Sequence, residues 1–210
     1  MKVTEIFRSI QGESTFAGLP CTFVRLAGCP LRCSYCDTAY AHTGGRDMSV
    51  ADVVDRVEGL GERLTEVTGG EPLAQEEVYP LLSALLERGH IVLLETSGAI
   101  PTDRVDPRVI TILDVKCPGS GEEGTFIEGN LDRLRHRDEV KFVLSDRRDY
   151  EWAREFVRTR PRLKDQIVNF SPVRGGVSWT ELAEWILDDR LSVRLGLQLH
   201  KLIWGEVPGR

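Results

Sequence analysis

Gly28-Cys29-Pro30-Leu31-Arg32-Cys33-Ser34-Tyr35-Cys36-Asp37-Thr38 carries three of the chain's five cysteines, spaced C-x3-C-x2-C, between a strand-like run and a polar loop. Thiolates that close together all face one point if the loop curls around a metal centre. A structural zinc site takes four protein ligands and closes its coordination sphere. An ordinary iron–sulfur cluster also takes four cysteines. Three cysteines leave one iron of a four-iron cluster open to a ligand that is not protein, which is how catalytic metal centres differ from structural ones. The alternative is a zinc loop completed by Cys21 or His42.

Working outward, Cys21-Thr22-Phe23-Val24-Arg25-Leu26 is β-branched and aromatic, a strand that delivers the chain into the cysteine loop. Residues 3–10 read as extended, with Gln11-Gly12-Glu13-Ser14 as a turn or loop. Further strands are expected at 64–68, 91–95, 109–113, 140–144, 166–170 and 192–199. Helices are expected from a Ser49 cap through Val50, Val53, Val54 and Val57, over 76–88 with Gly89 as the stop, and over 131–137. Two more follow, one capped by Asp146 and one over 179–187. Strands that alternate with helices and are apolar on both faces imply parallel pairing covered by helices. Six or seven such units in 210 residues fit an incomplete parallel (β/α) barrel better than a full eight-fold one, which takes about 250 residues. The expected fold class is therefore α/β, in one domain over residues 1–210. Active-site residues of such folds gather at the C-terminal ends of strands, and Gly28, Thr68, Glu95, Asp114, Ser171 and His200 stand there.

Apolar content of 41 % and charged content of 29 % are those of a soluble globular protein. No apolar run approaches the roughly 18–20 residues of a membrane span, and Met1-Lys2-Val3-Thr4-Glu5 has no apolar segment behind a basic start. Three clustered thiols with Cys21 and Cys117 make no even disulfide framework, so a cytoplasmic location is expected. A net charge of −6 argues against a broad nucleic-acid-binding face.

Ser9-Ile10-Gln11-Gly12-Glu13, Arg25 and the cysteine loop ending in Cys36-Asp37-Thr38 resemble the 7-carboxy-7-deazaguanine synthase family of the radical S-adenosylmethionine (SAM) superfamily. Thr68-Gly69-Gly70-Glu71-Pro72, Glu95-Thr96-Ser97-Gly98, Asp114-Val115-Lys116-Cys117-Pro118 and Gln198-Leu199-His200-Lys201 continue the resemblance in order over nearly the whole chain. The resemblance implies a radical SAM type barrel and a lyase of the queuosine and 7-deazapurine route. Its substrate would be 6-carboxy-5,6,7,8-tetrahydropterin, and its product 7-carboxy-7-deazaguanine with loss of ammonia. It also implies a 4Fe–4S cluster, SAM as a recycled source of the 5′-deoxyadenosyl radical, a magnesium ion (Mg2+), an electron donor such as flavodoxin or ferredoxin, and a homodimer.

The same resemblance assigns the residues. Cys29, Cys33 and Cys36 hold the cluster, and Thr38 is the magnesium ligand. Magnesium prefers oxygen ligands and keeps few protein contacts; without the resemblance, Thr38 reads as a loop or capping threonine. Tyr35, Cys36 and Asp37 would contact SAM from the loop, with Gly70 at a strand end where a ligand approaches the backbone closely. Asp114, Val115 and Lys116 would grip its methionine part, and Ser171, Pro172, Val173 and Arg174 its adenosine end. Asp114 and Lys116 alone would read as a surface pair of small energetic value. For the pterin, Glu13 and Glu95 accept from its N–H groups, Gln11 both donates and accepts, and Arg25 grips the carboxylate bidentately. Ile10, Gly12, Thr68, His200 and Pro208 complete that pocket. Arg25 could otherwise face solvent and His200 the surface, and Trp204 either closes the pocket or makes a dimer contact. A glycyl-radical-enzyme activase shares the cysteine spacing and the Gly-Gly-Glu-Pro segment, but has no use for Gln11, Glu13, Arg25 and Thr38 around a pterin. The rival of a different class is a zinc-stabilised binding module.

Overall fold

Period-two alternation sorts the side chains of each strand by face. In the run Leu64-Thr65-Glu66-Val67-Thr68, Val67 joins the apolar core beneath the helices, while Glu66 and Thr68 face a cavity on the other side. The computed structural model describes residues 1–205, 207 and 209. Its strands are β1 (Lys2–Ile10), β2 (Pro20–Leu26), β3 (Arg46–Asp47), β4 (Leu64–Gly69), β5 (Ile91–Thr96), β6 (Ile110–Val115), β7 (Glu139–Leu144), β8 (Ile167–Pro172) and β9 (Arg194–Leu195). They form one sheet in the order β3-β1-β2-β4-β5-β6-β7-β8-β9. From β2 to β9 every neighbouring pair is parallel. β1 runs antiparallel to both β2 and β3. The incomplete parallel barrel is thus present, with an antiparallel edge added by the N-terminal hairpin.

Helices α1 (Val50–Glu58) and α2 (Val78–Glu87) cover one half of the outer face through Val53, Val57, Leu81 and Leu85, which pack on Val24, Val67 and Leu94. α3 (Arg147–Thr159) and α4 (Trp179–Asp188) cover the other half, with Tyr150, Phe156 and Leu182 on Val140, Phe142 and Phe170. Local chemistry sets the helix starts. Ser49 and Ser178 each form a reciprocal capping box with the residue three on, and Asp146 accepts from the Asp149 amide. No helix among the described residues is long and apolar enough to cross a membrane.

Three expectations are corrected. The strands are not apolar on both faces: the inner face is apolar only near the strand starts, where Cys21, Leu64, Leu93, Ile110 and Ile112 meet Phe16. Toward the strand ends it carries Glu66, Glu95, Asp114 and Lys141. The helix expected over 131–137 is a 3-10 segment at Glu128–Arg133. Asn130 pulls it short by bonding the Gly98 and Ile100 carbonyls and accepting from the Thr102 amide. The last strand keeps only Arg194–Leu195, after which Gly196 lies tight against Ser171 and the chain turns into α5 (Leu199–Trp204).

Because β1 is antiparallel, the 11–19 loop starts at the lower end of the barrel. Thr15 donates from N and Oγ1 to Glu139 Oε1 at 3.0 and 2.5 Å, drawing the loop inward as a plug. α5 meets it there: the Leu199 amide bonds the Gly12 carbonyl at 2.9 Å.

Candidate active site

The strand ends and the cysteine loop enclose a cavity of about 210 Å³. Cys29, Cys33 and Cys36 all line it, free and half-buried. Backbone and neighbouring bonds hold their loop in its curl. Cys36 N donates to Cys33 O at 3.2 Å, Ser34 N to Ser120 O at 2.9 Å, and Gly28 N to Ala41 O at 2.8 Å. Three unbridged thiols lining one cavity are the donor set a cluster with an open iron needs. Cys21 lies buried at the far end of β2 and Cys117 is buried in the outer core, so neither joins the loop. His42 does line the cavity, with Nε2 3.4 Å from Cys36 Sγ.

The Gly69-Gly70 turn lets β4 end against the loop: Gly70 N donates to Leu26 O at 3.1 Å and Glu71 N to Gly28 O at 2.8 Å. A Cβ at Gly70 would overlap the Gly28 carbonyl and sit 2.8 Å from Cys29 Cβ. Gly70→Ala is therefore expected to displace the loop at its first cysteine. We predict a stability loss of about 1–3 kcal/mol and reduced iron per chain, checked by thermal melts and iron assay after reconstitution.

Thr38 sits at the N-cap of a 3-10 turn (Ala39–Ala41), but its side chain makes no capping bond. The hydroxyl is left toward the cavity, 3.8 Å from Cys36 Sγ, as an oxygen donor suited to magnesium. Of the residues expected around SAM, Tyr35, Cys36, Asp37, Gly70, Asp114, Lys116, Val173 and Arg174 line the cavity. The Tyr35 hydroxyl donates to the Val143 carbonyl at 3.0 Å, so it is the ring that faces inward. Lys116 donates to Asp114 Oδ2 at 2.9 Å. Asp114 Oδ1 is buried with no hydrogen-bond partner among the described residues, an acceptor that fits the amino group of SAM. This pair is buried rather than a surface pair. Val115 belongs to the outer core and Ser171 and Pro172 are buried in β8, off the lining. The β-strand alternation that sends Asp114 inward sends Val115 outward.

Ile10, Gln11, Gly12, Glu13, Arg25, Thr68, Glu95 and His200 line the same cavity. Gln11 is already engaged: its amide donates to Glu66 and its oxygen accepts from Glu13 N at 2.7 Å. Arg25 faces the cavity rather than solvent, and its Nε donates to Glu5 Oε1 at 2.8 Å. His200 packs on Gly12 so closely that a Cβ there would overlap the ring. Trp204 is half-buried at the end of α5 and does not line the cavity, and Pro208 lies outside the described residues.

Glu66 and Lys141 escaped the sequence reading, although Glu66 is the lone charge of β4 and Lys141 stands between the apolar Val140 and Phe142 in β7. Lys141 Nζ lies 2.5 Å from both Glu13 Oε2 and Glu95 Oε1. Burial would raise the Glu13 carboxyl, but Lys141 and the Gln198 amide hold it below its ordinary value. Burial, then the Glu95 and Glu13 charges, push the Glu66 carboxyl well above its ordinary value, toward its protonated form. Burial lowers His200, leaving its ring neutral.

A curated 7-carboxy-7-deazaguanine synthase of Koribacter versatilis is 50% identical over 97% of this chain and 97% of its own length. The chain belongs to the 7-carboxy-7-deazaguanine synthase family. The family's Chlorobaculum tepidum member is 47% identical, over 97% of this chain and 94% of its own. The radical SAM superfamily pattern matches residues 24–117, from within β2 through the cysteine loop to just past β6. Among solved structures, QueE from Escherichia coli superposes with a TM-score of 0.77 at 25% identity, covering 95% of this chain and 94% of that one. Membership in this family replaces the zinc module and the activase as readings, and the protein is a radical SAM enzyme of 7-deazapurine biosynthesis.

Proposed function

We propose that the protein converts 6-carboxy-5,6,7,8-tetrahydropterin to 7-carboxy-7-deazaguanine with loss of ammonia, as a magnesium-dependent lyase. The observation that carries this is the sharing of one cavity by three free thiols and by Glu13, Glu95 and Arg25, in a chain whose relatives are named for that product. When bound, the 4Fe–4S cluster and SAM supply the radical that opens the reaction. Cys29, Cys33 and Cys36 would ligate the cluster. Asp114 Oδ1 and the Gly70 backbone would accept from the amino group of SAM, with Tyr35, Asp37, Lys116, Val173 and Arg174 around it. Val115, Ser171 and Pro172 would contribute only backbone. Glu13 and Glu95 would accept from the pterin N–H edge, and Arg25 would meet its carboxylate with the nitrogens that Glu5 leaves over. Thr68, Ile10 and the neutral His200 ring would bound the ring plane, and Pro208 remains a candidate for the rim.

The test of the reaction class is ammonia. One equivalent per pterin consumed is expected, and pterin consumption without ammonia would remove the lyase reading.

Thr38 Oγ1 would be an oxygen ligand for magnesium, whose charge would offset that of the pterin carboxylate. Thr38→Ala is expected to keep the full iron content while the magnesium needed for half-maximal turnover rises about 10-fold or more. Titrating magnesium against initial rate checks this. Exposed Leu195, Leu197, Leu202 and Ile203 at the β9–α5 end support a homodimer. A low-potential protein such as flavodoxin or ferredoxin would deliver the electron, in the cytoplasm, where the free thiols stay reduced.

A further inference from the structure

Lys141 stands in the middle of β7, its side chain 7% exposed, facing acidic side chains from three other parts of the chain. Its Nζ donates to Glu13 Oε2 from the plug loop and to Glu95 Oε1 from β5, both at 2.5 Å. It lies 3.6 Å from Asp114 Oδ2, whose nearer partner is Lys116. Glu13 is fixed on its other oxygen by the Gln198 amide at 2.7 Å. A buried ion cluster is costly and can often be exchanged as a whole for apolar residues without loss of stability, whereas removing one partner strands the others. Space-filling therefore does not account for a lysine here.

We propose that Lys141 is a positioning residue for the pterin: it fixes Glu13 and Glu95 side by side as the paired acceptors of the substrate's N–H edge. The inference rests on the reaction proposed above and adds to it the group that organises recognition. The charges around the site support it. Glu66 from β4 accepts from the Gln11 amide and is pushed toward its protonated form by burial, Asp114 from β6 belongs to Lys116, and Asp37 from the cysteine loop belongs to Lys201 at 2.5 Å. His200 from α5 is uncharged. Glu13 and Glu95 thus share one ammonium, and their remaining acceptor positions line the cavity. An amino group beside a ring N–H supplies the donors that arrangement lacks. Lys141 bonds one oxygen of each carboxylate, so each keeps acceptor capacity for the ligand.

The sign of the pH effect follows. Lys141 opposes burial at both carboxyls: Glu13 is held below its ordinary value, while burial keeps Glu95 raised despite Lys141. Without it both rise, and the acceptors ionise only as pH climbs. The experiment compares reconstituted wild type, Lys141→Met and Lys141→Arg, measuring KM and kcat for the pterin and Kd for SAM from pH 6 to 9. Lys141→Met is expected to raise the pterin KM about 10–100-fold and to make it fall with rising pH, with SAM affinity and iron content near wild type. Lys141→Arg, which keeps the charge, should return the pH profile to that of wild type with a smaller rise in KM. Lys141→Gln loses the charge but keeps two donors, and carries the same test if Lys141→Met does not fold. A charge-removing variant with the KM and pH profile of wild type would overturn the proposal. So would equal losses of SAM affinity, iron and pterin affinity, which mark a general structural role. A wild-type protein that does not take the pterin at all fails before any variant is compared, and that result sinks the reaction together with the inference.

Discussion

Cys33→Ala is expected to abolish iron incorporation and product formation while leaving the fold nearly unchanged. Cys33 contributes one of three thiols, and no other cysteine can replace it, since Cys21 and Cys117 are buried in the core away from the loop. The bonds that shape the loop do not use the Cys33 side chain. Its carbonyl accepts from Cys36 N, Ser34 Oγ donates to Gly119 O at 2.6 Å, and Arg32 N donates to Glu122 Oε1 at 2.6 Å. Removing a half-buried sulfur from this setting costs little packing, so the melting temperature before reconstitution should match wild type within a few degrees. Iron and sulfide analysis beside a thermal melt makes the check. A variant that keeps a full cluster and activity would show the ligand assignment to be wrong.

The largest stability effect is expected at Glu71, in the Gly-Gly-Glu-Pro turn. Glu71 is fully buried and its carboxylate accepts four hydrogen bonds. Oε1 takes Leu73 N at 3.0 Å and Thr96 Oγ1 at 2.8 Å, and Oε2 takes Ser97 N at 2.8 Å and Ser97 Oγ at 2.6 Å. The side chain therefore ties the turn after β4 to the end of β5, and through it the Gly70 backbone that abuts Cys29. Glu71→Ala strands these donors at about 1–3 kcal/mol for each one left unpaired. Both hydroxyls can turn to other acceptors, so the expected net loss is about 4 kcal/mol. For a chain of this length that lowers the melting temperature by roughly 8–16 °C. Glu71→Gln keeps one acceptor oxygen and should lose about half as much. Denaturant melts of both variants decide it, and wild-type stability in Glu71→Ala would show that this network does not hold the turn.

The sequence made the outer shell and the chemistry legible for different reasons. Helix starts at Ser49 and Asp146 are local events, written in capping residues and apolar spacing. The cysteine loop is legible because three thiols in eight residues have few other uses. Most of the site residues named from the resemblance do line one cavity. What stayed hidden depends on the third dimension. A lysine between valine and phenylalanine gives no sign that Glu13, 128 positions away, will meet it. Val115 sits between two charged site residues in sequence, yet the strand's alternation turns it into the core. The 192–199 run has strand-like composition, but the docking of Gln198 on Glu13 and Leu199 on Gly12 turns its end into α5.

The most direct measurement of the central claim is a mass-resolved product assay. Protein reconstituted with iron and sulfide in the absence of oxygen is given reductant, SAM, magnesium and 6-carboxy-5,6,7,8-tetrahydropterin. Formation of 7-carboxy-7-deazaguanine over many turnovers, and none when SAM is omitted, is the predicted result. Cleavage of SAM to 5′-deoxyadenosine with the pterin left untouched would contradict the account of the substrate pocket.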